Sequence, residues 1–175
     1  MVLSGPPGSG KTTMALPLAR ALGLPLIAKD TVKEALMDNL GVDRLERSRQ
    51  LGQATFGILF ALTDALLDAG TGLVLEANFW HGRSEAELAP RVARARAVVV
   101  HCWAPREVRQ ARHRDRAAVR HAGHFDQERW DVVLDGPSND PPDLGVPCLR
   151  VDTAAAWELD AVARWVRANL SAGRT

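Results

Sequence analysis

Short apolar runs alternate with longer stretches of helical spacing along this chain. Met1–Ser4, Leu24–Ala28, Leu73–Ala77, Ala97–Trp103 and Cys148–Val151 have the length of strands. Val98, Val99 and Val100 form an unbroken apolar centre, as in a strand covered on both faces. Between these runs the spacing predicts helices over Lys11–Leu22, about Thr31–Leu40, Asp43–Ala69, Ser84–Ala95, Pro105 to about Arg120, and Ala154–Leu170. Pro17 is expected to kink the first helix or end its first segment, because it removes a backbone donor. Asp30 and Thr31 both suit the start of the second, and Thr31-x-x-Glu34 fits a capping box. Gly41 stops that helix. The third helix carries Phe56, Leu59, Phe60, Leu62, Leu66 and Leu67 at helical spacing, so its second half reads as largely buried, with a possible break near Gly52 or Gly57. Gly123–Pro147 reads as irregular, with a short helical piece at Gln127–Leu134 and a Pro/Gly/Asp-rich loop at Asp135–Gly145.

Strands alternating with helices predict an α/β fold, a parallel sheet flanked by helices on both faces. In such sheets ligands gather at the carboxyl ends of the strands. Asp30, Glu76, Asn78, Trp103 and Asp152 all follow predicted strand ends, and so should share one sheet edge.

That edge begins with the most specific string in the chain. Gly5-Pro6-Pro7-Gly8-Ser9-Gly10-Lys11-Thr12 fits G-x-x-x-x-G-K-[ST] between a strand and a helix. Glycines let backbone N–H groups turn toward an anion, and the helix N-terminus adds partial positive charge. Lys11 is placed to reach β- and γ-phosphates, and Thr12 to hold Mg²⁺ through its hydroxyl.

Composition narrows the setting. The 175 residues suit a single domain, 1–175, with one core, and 46% apolar with 25% charged residues is a globular profile. A formal net charge of +1 gives no global attraction to nucleic acid or anionic membrane. No uninterrupted apolar run of membrane-spanning length is present, and the phosphate loop comes too early for a secretory leader, so a cytoplasmic protein is expected. Cys102 and Cys148 lie in apolar runs and read as reduced core thiols. Nothing in the pattern fixes an oligomeric state.

The remaining candidate chemistry lies at the other strand ends and in a basic helix. Asp30 can accept a hydroxyl proton as a γ-phosphoryl group departs; as a bare helix cap it would do no chemistry. Glu76 ends an apolar run in the manner of a Walker B acid, which holds Mg²⁺ directly or through water. Six arginines fall between Arg106 and Arg120, and Arg109, Arg112, Arg116 and Arg120 recur at three- and four-residue steps on one face. Such a face can close over a triphosphate as a lid, over roughly residues 105–135, or simply be solvated. His101, His113, His121 and His124 match no closed zinc set and read as loop and surface histidines. Trp157 and Trp165 read as core; Phe79, Trp80 and Trp103 follow strand ends and could line a pocket.

Together GPPGSGKTT (5–13), Lys29-Asp30, LVLEANF (73–79), the arginine helix with RHAGHFD (120–126) and VDT (151–153) make the chain resemble a group of small P-loop kinases. That group includes chloramphenicol phosphotransferase, zeta toxins and the kinase domain of polynucleotide kinase. The resemblance implies a P-loop NTPase fold with five parallel strands in the order 2-3-1-4-5. It implies ATP with Mg²⁺ as donor, nucleotide contacts along Gly5–Thr13, and Mg²⁺ held by Thr12 and Glu76. It further implies Lys11, Asp30, Arg112 and Arg116 as catalytic residues, and Asp152 and Thr153 near the adenine. Lys29, Asp30, Asn78 and Arg83, with Lys33 and the pair Phe79-Trp80, fall where the acceptor would sit. A hydroxylated small molecule is the expected acceptor rather than a long nucleic acid. An ATPase or regulatory switch without an acceptor, and a toxin-type nucleotide-sugar kinase, stay open beside it; no guanine-reading N-K-x-D string is present.

Overall fold

The computed structural model describes residues 1–117, 120–125 and 139–171. The expected helix at 127–134, the first four residues of the loop at 135–145, and residues 118–119 and 126–135 of the expected lid lie outside the described residues. Five strands form one all-parallel sheet: β1 (Val2–Ser4), β2 (Leu26–Ala28), β3 (Val74–Glu76), β4 (Val99–Trp103) and β5 (Cys148–Asp152), in the order β2-β3-β1-β4-β5. Six helices of a full turn or more flank it among the described residues: α1 (Lys11–Leu22), α2 (Lys29–Leu40), α3 (Leu45–Asp68), α4 (Glu85–Val92), α5 (Arg106–Ala117) and α6 (Leu159–Ser171).

The strands alternate their side chains between two apolar layers, as a sheet covered on both faces must. Leu3, Val98, Val100 and Cys102 face a core completed by Met14 and Leu18 of α1 and Val162 and Val166 of α6. Val2, Leu75 and Val99 face a second core with Leu59 of α3 and Leu88 of α4. Burying each such side chain contributes about 1.5–3 kcal/mol. Trp157 and Trp165 pack against the first layer, as expected, although Trp157 precedes α6.

The expected elements form, with three local corrections. α1 runs unbroken through Pro17. α2 begins at Lys29 rather than Thr31, with Ala28 as its cap residue and no side-chain cap. Thr31-x-x-Glu34 is therefore not a capping box, and Glu34 is engaged elsewhere. α3 is unbroken at Gly52 and Gly57. It has the length and mean hydropathy of a membrane-spanning helix, yet its face through Ser48, Leu51, Thr55, Leu59 and Thr63 is buried, and it packs on α2 and β2. Cys102 is buried as expected, but Cys148 is exposed at the start of the edge strand β5, so it is not a core thiol.

Register sets the functional edge. Ala28 and Leu3 both pair with Glu76, and Trp103 pairs with Asp152. The residues that follow these positions therefore emerge side by side at the carboxyl end of the sheet.

Candidate active site

The loop after β1 folds as its glycines require. Gly8 and Gly10 have φ of +77° and +80°, values that only glycine adopts without strain. A Cβ on Gly8 would lie 2.6 Å from the Arg109 carbonyl oxygen, and one on Gly10 would press on Thr153 at 3.3 Å. The loop thus turns tightly between α5 and the loop after β5. Gly10 is the cap residue of α1, whose first N–H groups have no partner within the helix and face the anion position. Lys11 Nζ arches back toward the Pro6 carbonyl oxygen at 3.4 Å.

Beside this loop lies a cleft lined by Lys11, Thr12, Lys29, Asp30, Glu76, Asn78, Arg116 and Arg120. It brings the expected catalytic and metal positions together, apart from Arg112. The free space is about 70 Å³, against the roughly 300–1,000 Å³ of ordinary ligand sites.

Asp30 sits in the first turn of α2 and accepts a hydrogen bond from Arg120 Nη2 at 2.5 Å. Burial acts to raise its pKa, but Arg120, then Lys29, Lys11 and His124, outweigh it and hold the carboxyl well below the usual range. Glu76 is 2% exposed, and its Oε2 has no hydrogen-bond partner. Here burial dominates and raises the pKa, with Lys11 opposing it. A buried carboxylate oxygen without a partner, in a cleft that Thr12 also lines, is the oxygen chemistry a hard divalent cation takes. The pair fits Mg²⁺.

The arginines of α5 divide into two kinds. Arg116 lines the cleft, and its Nε is buried without a partner. Arg112 does not line the cleft. It donates from Nη1 to Thr153 Oγ1 at 2.8 Å and from Nη2 to the Thr153 carbonyl at 2.6 Å. Thr153 Oγ1 in turn reaches the Ser9 carbonyl at 2.8 Å. Arg112 and Thr153 therefore brace the phosphate loop from behind, while Asp152 closes a local turn by accepting from the Ala154 N–H at 2.8 Å. Arg109 is 2% exposed and donates to the Ala104 carbonyl, so it supports the same side of the loop. Thr13 is exposed and outside the cleft lining.

The histidines correct the sequence reading. His101, His113 and His124 are buried, at 1%, 3% and 3% exposure, rather than loop and surface residues. His113 and His124 line the cleft. His124 Nε2 meets Glu34 at 2.8 Å, and His121 Nε2 donates to Asp38 at 3.1 Å while its Nδ1 accepts from Gly123 N–H. Asp30, Glu34 and Asp38 recur every four residues on α2. With Arg120, His124 and His121 they tie the turn at 120–125 onto that helix. The repeat of acids was the signal available in the sequence. Among the described residues no group of three or more His, Cys, Asp or Glu side chains is arranged to hold a metal.

Of the expected acceptor residues, Lys29 and Asn78 are joined, Lys29 Nζ donating to Asn78 Oδ1 at 3.0 Å. Lys33 also lines the cleft, donating to Ser48 Oγ at 2.9 Å. Arg83 is outside this cleft; it lines a second one that shares Asn78 and contains Phe79 and Trp80. Trp103 lines neither.

A parallel 2-3-1-4-5 sheet with this loop and these strand-end acids defines a small P-loop kinase-type NTPase. The comparisons agree. A profile of the AAA domain family matches residues 1–138, and the chain belongs to that family. It is 32% identical over 162 residues to a cytidylate kinase of Pyrobaculum calidifontis, covering 91% of this chain and 80% of that one. It is 35% identical over 115 residues, 64% of this chain, to the cytidylate kinase of Pyrobaculum neutrophilum, of which it spans 57%. A crystal structure of a candidate kinase from Chloroflexus aurantiacus superposes with a TM-score of 0.87 and 30% identity over 97% of each chain.

Proposed function

We propose that this protein is an ATP- and Mg²⁺-dependent phosphotransferase that moves the γ-phosphoryl group to a hydroxyl of a small molecule. The observation that carries this reading is Asp30. It is an ionised carboxylate in the same cleft as Lys11 and the phosphate loop, held in that state by surrounding cations. A pure nucleotide-binding switch gives a carboxylate there no proton to take.

Lys11 and the loop N–H groups would bind the β- and γ-phosphates. Bound Mg²⁺ would neutralise charge on those phosphates, with Thr12 and Glu76 as its protein ligands. Arg116 would meet charge developing on the transferred group. Asp30 would orient the acceptor hydroxyl and take its proton, once Arg120 swings away from the carboxylate. Arg112 would act through Thr153 and Ser9, holding the loop rather than touching phosphate. The free thiols suit a reducing, cytoplasmic setting.

The test is ³¹P NMR of ATP turnover with Mg²⁺ and a panel of alcohols, nucleoside monophosphates and water alone. The reading expects a new phosphate-ester signal with an alcohol. Inorganic phosphate as the sole product across the panel would make the protein an ATPase. Transfer only to a monophosphate would replace the alcohol acceptor with a phosphate.

A further inference from the structure

The second cleft names the class of acceptor, and this step rests on the transfer reading above. It lies beyond Asn78 and measures about 400 Å³, within the roughly 300–1,000 Å³ of small-molecule sites. Phe56 and Phe60 of α3 and Phe79 and Trp80 after β3 give it aromatic walls. The Phe56 ring lies 6.1 Å from both the Phe60 and the Phe79 rings, tilted at 34° and 58°.

These walls are held by neighbouring side chains. The Arg91 guanidinium sits 4.3 Å from the Phe60 centroid and is itself held by Asp64 at 2.7 Å. Lys29 Nζ lies 5.4 Å from the Phe56 centroid while bonded to Asn78. The Phe79 carbonyl accepts from Ser4 Oγ at 2.9 Å, anchoring that wall to β1. Phe56 is in aromatic contact with both Phe60 and Phe79, so these rings form one continuous wall whose outer side lines the open cleft. The charged side chains at the rim, Arg83 and Glu87, are of opposite sign. Among the described residues this cleft offers one arginine and no arginine fork for a phosphate or carboxylate.

We infer that this cleft holds the body of the acceptor, and that the acceptor is an uncharged alcohol carrying a flat ring that stacks on the aromatic wall. Its ring lies against Phe56, Phe60 and Trp80, and its hydroxyl passes Asn78 toward Asp30. In the transfer, the hydroxyl oxygen bonds to the γ-phosphorus, and the bond from that phosphorus to the β,γ-bridging oxygen breaks. The bridging oxygen leaves on ADP with the electron pair, and the hydroxyl proton passes to Asp30.

Gly57 provides the test. It lines the cleft, it sits in the middle of α3, and a Cβ there meets nothing within 4 Å. Gly57→Leu would fill the cleft while favouring the helix. The full chain is assayed with Mg-ATP and four probes: 2-phenylethanol, uridine, sorbitol and cytidine monophosphate. The inference expects the two ring-bearing alcohols to be phosphorylated in preference to sorbitol. It expects Gly57→Leu to raise their KM at least tenfold and Phe60→Leu severalfold, with the Kd for a non-hydrolysable ATP analogue unchanged in both. Saturation-transfer NMR with 2-phenylethanol on the Phe60→Leu variant covers the case in which Gly57→Leu does not fold. Preference for sorbitol or cytidine monophosphate, or ring-alcohol KM values indifferent to both substitutions, overturns the aromatic cleft while leaving phosphoryl transfer standing. ATP consumed with no acceptor in any arm overturns the transfer reading as well.

Discussion

On one side of Asn78 the lining holds Lys11, Lys29, Lys33, Arg116 and Arg120 against two carboxylates, Asp30 and Glu76. On the other side stand Phe56, Phe60, Phe79 and Trp80. The first cleft is nearly filled by its own side chains and the second stands open, at about 70 and about 400 Å³. The difference follows from the side chains that line each. The many cations of the first pair with nearby acids, as Arg120 does with Asp30. A site walled by rings has no such partners to collapse onto. The charged cleft is therefore the narrower of the two, and the aromatic one the wider.

The largest effect expected belongs to the charged cleft. Asp30→Asn should lower turnover by about 10²–10⁴-fold, the range for a lost general base, while ATP-analogue affinity stays within twofold by calorimetry. Turnover close to that of the unsubstituted protein would show that Asp30 takes no proton. The two arginines split next. Arg116→Ala should lower kcat by about 10²-fold, as for one lost transition-state donor, at unchanged melting temperature. Arg112→Ala should instead cost about 1–3 kcal/mol of stability, since it leaves buried Thr153 without its charged partner. Thermal melts of the pair decide it, and equal melts would make Arg112 a phosphate ligand after all.

How far these regions were legible in the sequence follows from how local each is. The phosphate loop and the strand-end positions of Asp30 and Glu76 could be read because each rests on a short string, and the sheet order followed from the resemblance that those strings carry. The bracing role of Arg112 could not, because its partner Thr153 is 41 residues away and belongs to another loop. Phe56 and Phe60 have the spacing of a core face, and spacing alone does not say that the space before them stays open. The buried histidines escaped for a similar reason, since burial of His124 depends on α2 presenting Glu34. Cys148 shows the converse, an apolar run in sequence whose first residue is exposed because β5 is an edge strand.

His101 separates stability from both clefts. It lies in the middle of β4, and its Nε2 donates to the Asn139 carbonyl at 2.9 Å while Nδ1 is buried without a partner. Burial lowers its pKa from 6.5 to about 4. The unfolded chain therefore binds the proton first as pH falls. The stability of the neutral form is whole above about 6.5 and is lost between 6.5 and 4, by about 3 kcal/mol. Urea melts at pH 7 and pH 4.5 should show this loss in the unsubstituted protein and a smaller one in His101→Leu. An equal loss in both would move the acid sensitivity to another group.

The smallest effect sets one glycine from each cleft against the other. Gly8 has φ +77°, and an added Cβ would strike backbone at 2.6 Å, so Gly8→Ala should weaken both folding and nucleotide binding. Gly57 has helical φ and open space before it, and Gly57→Ala should stabilise the protein by about 0.5–1 kcal/mol, the helix preference for alanine. A melting-temperature rise of roughly 1–4 °C is the corresponding readout for a chain of this length. The same methyl group takes only a small part of the aromatic cleft, so KM for a ring-bearing alcohol should rise less than with Gly57→Leu. A gain in stability together with that graded rise in KM is what an open, unstrained acceptor wall produces. A loss of stability would mean that the wall at residue 57 is already in contact with something, and that the space before it is not open.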